Sequence, residues 1–241
     1  MEQAVREYSD WIEEETLSAG KDPVAELLRT RTDEARSPVQ AWLMPVVDDI
    51  ERCIRERLIQ TEIPGLHMIP SHINLVGAEI EMLELENRES VLKNALAPIR
   101  DNYDFIIIDC SPSLGLITVN TLTAADSVII PVQPEFFALE GLGKLLQTIR
   151  LVQNGVNPAL TIEGFVVTMF DGRTRVHTQV VGELRDHFKD MVFKTIIQRN
   201  IRLSEAPSHG KPIILYDVMS NGTSNYLNLA KEFLLKNGYT I

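Results

Sequence analysis

The chain has 241 residues, 23 Lys plus Arg against 34 Asp plus Glu, a formal net charge of −11, 44% hydrophobic residues and two cysteines. That length and apolar content support one domain, or at most two small ones, with a continuous core and exclude a globally disordered chain, while the two lone cysteines and the lack of any run of roughly 18 to 20 apolar residues exclude a disulfide scaffold and a membrane span. The first residues, with Glu2, Glu7 and Asp10, lack an export signal's basic start, and Cys53 and Cys110 form no zinc-ligand pattern, so a reducing cytoplasm is the expected setting.

Residues 1 to 37 are charge-rich, with Val5, Tyr8 and Ile12 at helical spacing, and read as one or two surface helices. Ile50, Ile54 and Leu58 recur four apart within 48–60, which predicts another amphipathic helix ended by Pro64-Gly65. From Leu66 onward the pattern changes. Short apolar runs at 66–69, 105–108, 127–132, 162–169 and 192–197 alternate with helical stretches at 78–99, 114–124, 139–153 and 176–188, and a last helix spans 224–235. Strands without polar alternation, separated by helices, predict an α/β fold: a doubly wound, mostly parallel sheet with helices on both faces. Ligands of such sheets bind at the carboxyl ends of the strands, so chemistry is sought just after each run.

Tyr103-Asp104-Phe105-Ile106-Ile107-Ile108-Asp109 is an apolar strand ending in a carboxylate, the placement that holds Mg²⁺ beside a triphosphate in nucleotide hydrolases. An Asp there equally caps the next turn, and the residues alone leave both readings open. Two prolines, Pro131 and Pro134, fix the exit of the next strand, and Glu140 begins a helix whose dipole favours it. The polar stretch 200–212, punctuated by Pro207, Gly210 and Pro212, reads as a long loop that either connects elements or offers backbone groups to a planar base. His67, His72, His177, His187 and His209 show no ligand spacing.

The charge is uneven along the chain. Between residues 173 and 211 eight bases face four acids, whereas residues 1 to 60 carry 14 acids and 8 bases and residues 61 to 150 carry 12 acids and 5 bases. A basic segment on an acidic chain is either a solvated face or a footprint for a polyanion, which responds to the local field more than to total charge.

Taken together, these motifs resemble the ParA/Soj-type chromosome and plasmid partition ATPases, deviant P-loop relatives of MinD. The resemblance runs from about residue 63 to 230. It is carried by Gly65-Leu66-His67-Met68-Ile69-Pro70-Ser71, Leu75-Val76-Gly77-Ala78-Glu79-Ile80-Glu81, the stretch 104–115, Asn120 with Leu122-Thr123-Ala124-Ala125-Asp126, Ala138-Leu139-Glu140-Gly141, Thr168 with Arg173, and Arg202-Leu203-Ser204-Glu205-Ala206-Pro207-Ser208-His209-Gly210-Lys211. It implies ATP and Mg²⁺ as cofactors, an ATP-dependent dimer that binds DNA non-specifically on the nucleoid, and a ParB-like partner that stimulates hydrolysis. By resemblance Asp109 is the Walker B carboxylate and Mg²⁺ ligand, and Pro112 and Ser113 belong to the second switch. Glu205, Ala206, Pro207, Ser208, His209 and Gly210 surround the adenine. The family's DNA surface lies in its C-terminal half, where Arg173, Arg175, Lys189, Lys194, Arg199 and Arg202 are the candidates.

The chain departs from the family at its start. No G-x-x-x-x-G-K-[ST] loop occurs; the Gly-Lys pairs at Gly20, Gly143 and Gly210 are followed by Asp22, Leu145 and Pro212, and the family's D-x-D-P-Q segment is absent. Residues 1–47 are therefore expected to form an atypical helical segment ahead of a ParA-like α/β domain at 48–241, and the sheet is expected to lack the strand beside Asp109. A P-loop's amides and lysine neutralise a triphosphate of charge about −4, so without one this chain is expected to bind ATP weakly or not at all. Two functional readings follow: a ParA-family partitioning protein, or a catalytically inactive module that binds DNA or pairs with an intact ParA subunit without nucleotide.

Overall fold

The computed structural model describes residues 54, 58–71, 75–110, 115–135 and 138–240. The expected helical segment at 1–47 lies outside them. Two compact units divide the chain, Met1–Met82 with Asn94–Ile106 and Leu83–Lys93 with Ile107–Ile241.

In the first unit Ile59–Gln60 (β1) pairs antiparallel with His67–Met68 (β2), Ile59 opposite Met68. The turn uses Gly65 at φ 78°, a left-handed conformation that glycine adopts without strain, and the Leu66 amide donates to the Ile63 carbonyl at 3.1 Å. This corrects two expectations. The helix predicted through Gln60 gives way to a strand at Ile59, and the apolar run at 66–69 forms a hairpin arm rather than a parallel strand. His67 Nδ1 lies 2.8 Å from the Tyr103 hydroxyl, with the two rings edge to face.

The long helix predicted over 78–99 is also broken. Leu75–Glu81 (α1) passes into a 3₁₀ turn, Asn87 turns left-handed at φ 56°, and the chain resumes as Val91–Leu96 (α2). Asn is the non-glycine residue that most readily takes that conformation, and it punctuates a Leu-Glu alternation that has no helical period.

The second unit follows the predicted order closely. Leu116–Ala124 (α3) leads to Ser127–Val132 (β3), Ala138–Asn154 (α4), Thr161–Phe170 (β4), Arg175–Phe188 (α5) and Val192–Gln198 (β5). The stretch read as a loop at 200–212 is largely helical. Ile201–Glu205 (α6) is capped by the Asn200 side chain, which accepts the Arg202 amide at 2.8 Å, and a 3₁₀ turn follows at Ala206–His209. Ile213–Tyr216 (α7) and Asn221–Lys236 (α8) complete the chain.

The strands lie in the order β3-β4-β5, all parallel, with Ser127 opposite Thr161, Val132 opposite Val167 and Phe165 opposite Val192. One face carries the main core: Ile130, Val132, Phe165 and Val167 from the strands pack with Leu122 of α3, Leu142 and Ile149 of α4, and Val181 and Leu184 of α5. On the opposite face Val166, Phe193 and Ile197 meet Leu203 of α6 and Leu229 and Phe233 of α8. The architecture is the expected α/β sheet with helices on both faces. Buried amide side chains tie the connections down, as in Asn157, which donates to the carbonyls of Leu122 and Ala125 at 2.9 and 2.8 Å.

The strand predicted at 105–108 does not form. Residues 103–110 make no strand ladder, and Ile107 is 90% exposed. An apolar run becomes a strand only when a neighbour completes its hydrogen bonds, and no described segment pairs with this one.

Candidate functional site

The carboxyl ends of β4 and β5 open into a cleft of about 500 Å³ lined by Phe170, Asp171, Gly172, Arg173, Gln198, Arg199 and Ile201. The Arg199 amide donates to the Phe170 carbonyl at 3.0 Å, which fixes the two strand exits side by side. Just before the exit of β4, Met169 sits at φ 50°, a strained conformation for a long side chain, so the turn into the cleft is imposed by its surroundings.

Arg173 is held at this mouth by its neighbour. The Asp171 carboxylate accepts the Arg173 amide at 3.0 Å and its guanidinium at 2.9 and 2.7 Å. Hydrogen bonds from Arg173 hold the Asp171 carboxyl far below the usual carboxylate range and raise the guanidinium in turn. The Arg173 side chain nevertheless remains 91% exposed against 19% for Asp171, so its outer donors face solvent. The Asp171 amide in turn donates to His177 Nδ1 at 3.0 Å.

Next to Ile201, Arg202 pairs with Glu205 at 2.9 Å and with Asp217 at 3.3 Å. Tyr216 donates its hydroxyl to Glu205 at 3.1 Å, and its ring stacks on His209 with centroids 5.0 Å apart. The hydrogen bond from Arg202, then that from Tyr216, lowers the Glu205 pKa. Ser208 donates its hydroxyl to the Glu205 carbonyl at 2.6 Å, and Gly210 closes the 3₁₀ turn left-handed at φ 59°. Ala206 is buried, whereas Pro207, Ser208, His209 and Gly210 are exposed. The segment 205–210 is thus a rigid knob with a polar, solvent-facing rim and one planar stack.

The six basic candidates do not form one patch. Arg173, Arg175, Arg199 and Arg202 gather at the carboxyl ends of the strands, with Arg175 opening α5. Lys189 precedes β5 and follows the far end of α5, and Lys194 is the third residue of that seven-residue strand, about 13 Å before its carboxyl end. Asp109 is exposed and is not among the residues lining the cleft. The adjacent Cys110 thiol is pushed up, first by partial burial and then by the Asp109 charge, against a hydrogen bond with Thr121. Pro112 and Ser113 lie outside the described residues. Among the described residues no group of three or more His, Cys, Asp or Glu could hold a metal ion, and no helix is long and apolar enough to cross a membrane.

Sequence reasoning missed Asp171, Tyr216 and Asp217. An Asp two residues before an Arg is an Asx-turn signal that ties that Arg down, so the first of these was available in the sequence. The pairing of Arg202 with Asp217 was not, because it depends on how α7 returns beside α6.

Comparison with known proteins gives the following. A model of an AAA domain family matches residues 26–162. The sporulation initiation inhibitor protein Soj of Bacillus subtilis (strain 168) is 54% identical over 194 residues, covering 76% of this chain and 77% of that protein. The chromosome partitioning protein ParA of Myxococcus xanthus (strain DK1622) is 53% identical over 184 residues, covering 76% of this chain and 65% of that protein. Among solved structures, cobyrinic acid a,c-diamide synthase from Mycobacterium smegmatis with bound ADP and magnesium aligns with a TM-score of 0.64 at 32% identity, over 94% of this chain and 80% of that one.

Proposed function

Because this chain belongs to the ParA/Soj family of chromosome-partitioning ATPases and has their α/β P-loop NTPase fold, we propose that it serves DNA partitioning by holding DNA non-specifically at the cleft of Arg173 and Arg199. The observation that carries this reading is the convergence of Arg173, Arg175, Arg199 and Arg202 at the carboxyl ends of β4 and β5, with the Arg173 guanidinium 91% exposed. Guanidinium groups at the mouth of a cleft bind phosphate oxygens without reading bases, which gives affinity that is independent of sequence and sensitive to salt. By resemblance a dimer and a ParB-like partner belong to the same reading, in the cytoplasm at the nucleoid.

Nucleotide is a separate question. The knob at 205–210 offers a stacked ring and a polar rim of a size that suits a base. The described residues supply no convergent set of backbone amides and lysines for a triphosphate, and Asp109 stands exposed at the end of a segment that pairs with no strand among the described residues. The described residues therefore do not fit ATP with Mg²⁺ as a whole, and no hydrolytic step is assigned to them. The alternative reading, a nucleotide-independent module that binds DNA or an intact ParA subunit, draws its support from this mismatch.

The test is fluorescence anisotropy of the full chain on labelled duplexes of unrelated sequence. Similar affinities that fall steeply with salt, and a loss of roughly tenfold or more in the Arg173→Ala, Arg199→Ala double variant, are the expected results. Affinity that is indifferent to salt or to both substitutions would sink the proposal.

A further inference from the structure

The turn that carries Arg173 into the cleft is pinned from α5. The Thr174 amide donates back to the Asp171 carbonyl at 3.1 Å, closing residues 171–174, and the Asp171 amide donates at 3.0 Å to Nδ1 of His177, the third residue of α5. The His177 ring also lies near Phe170, the last residue of β4, with centroids 6.1 Å apart. Asp171 is therefore held at two points: its backbone amide by His177 and its carboxylate by Arg173.

A ring nitrogen that accepts an amide carries no proton, so in this arrangement the His177 imidazole is neutral with its hydrogen on Nε2. Protonation turns Nδ1 into a donor, and the Asp171 amide must be released. The carboxylate of that same residue then offers the ring an acceptor. It is held far below the usual range first by the Arg173 hydrogen bonds, and the His177 charge acts in the same direction. The charged groups on the elements that meet at this ring are Asp171 and Arg173 on the turn, Arg175 at the start of α5 and Arg199 at the exit of β5. Among these four, Asp171 is the one anion, so an imidazolium has a single group to turn to.

We propose that His177 is the positioning residue for Arg173, and that its proton decides how firmly Asp171 holds the guanidinium. With a neutral ring the amide bond fixes the turn, and Asp171 stays on Arg173 and offsets one positive charge of the cleft. With a charged ring the amide is let go and the carboxylate is shared between imidazolium and guanidinium. Arg173 then turns more of its donors outward to a phosphate. The inference rests on the DNA-holding reading above and assigns that same cleft a dependence on pH. Affinity for DNA rises as pH falls through the range in which imidazoles titrate, and the rise needs both His177 and Asp171.

The probe is a labelled DNA duplex with the full 241-residue chain, read by fluorescence anisotropy at fixed salt from about pH 8 to about pH 5.5. Wild type should gain roughly threefold to tenfold in affinity across that range. His177→Asn keeps an oxygen for the Asp171 amide but cannot titrate, and should lose most of the gain. The other histidines remain in that variant, so the difference between the two profiles belongs to His177. In Asp171→Asn the gain should shrink as well, which an imidazolium acting only as one more charge would not cause. Nitrogen NMR of the wild-type ring decides the geometry without a variant: Nδ1 should be bare at neutral pH, and the Asp171 amide signal should move with the same midpoint as the ring. A full-sized gain in Asp171→Asn, or an Asp171 amide indifferent to the ring's titration, would overturn the proposal. Binding with superimposable profiles for wild type and His177→Asn would overturn it alone, whereas a chain that holds no DNA at any pH would take the partitioning reading down with it.

Discussion

The Glu232 carboxylate of α8 accepts the backbone amide of Lys194 at 2.6 Å, in a stretch of β5 where the register against β4 shifts. Its second oxygen takes the Thr195 amide at 2.8 Å, so one side chain satisfies two donors that the irregular ladder leaves over. Burial opposes its ionisation, but the hydrogen bonds from Thr195 and Lys194 prevail and lower its pKa. Glu232→Ala should therefore destabilise the chain by about 1–3 kcal/mol in urea titration, through two amides left without an acceptor. A carboxyl whose folded pKa is depressed adds stability above its unfolded value, near 4.5, and loses it as pH falls through the folded value. The gap between wild type and Glu232→Gln should accordingly be widest near neutral pH and close under acid.

Gly222, near the start of α8, has Leu203 against it. A Cβ there would lie 2.8 Å from the Leu203 Cγ, and Gly222 is buried with no φ in the left-handed range, so the constraint is space alone. Gly222→Ala should cost about 1–3 kcal/mol by thermal unfolding, and Leu203→Ala should recover part of it by opening room. Additive losses in the double variant would show that the two residues do not share one contact.

Asn120 is 4% exposed and does the work of a clamp. Its side chain accepts the Leu92 amide at 3.1 Å and donates to the carbonyls of Arg88 and Leu116 at 2.7 and 3.1 Å. Asn120→Ala should destabilise by about 2–3 kcal/mol, since several buried polar groups lose their partner together. Hydrogen exchange should show the effect concentrated at Leu92, which a global loss of packing would not do.

Asp171 neutralises the cleft it helps to build. Asp171→Asn keeps a side-chain oxygen for the Arg173 amide and removes the charge, so DNA affinity should rise by roughly threefold to tenfold, with a steeper salt dependence. Unchanged or weaker binding would place the phosphate contacts elsewhere.

For ATP, isothermal titration of the full chain is expected to give no binding in the low micromolar range, with or without Mg²⁺. Low-micromolar affinity would mean that the chain supplies a phosphate cradle the sequence reading does not find.

Where each apolar run was self-sufficient, the fold could be read from the sequence. Ser127 to Val132 is a strand with the expected bounds because β4 lies next in sequence and pairs with it, and the helices on either side of β4 carry clear apolar stripes. Phe105 to Ile108 is a wholly apolar run with no ladder, because strand formation is decided by a neighbour that composition does not reveal. The polar stretch after Gln198 reads as loop from its Pro and Gly, yet Asn200 caps a helix there. At the site, the basic residues were visible as a cluster in sequence, but their division between the two ends of β5 followed only from the strand's direction.

The order β3-β4-β5 repeats the order of the chain, and Ser127 meets Thr161 after a single intervening helix. Each pairing therefore joins strands separated by one helix, and the cost of closing such a loop grows only slowly with its length. This part of the molecule gathers its main core from elements that follow one another along the chain.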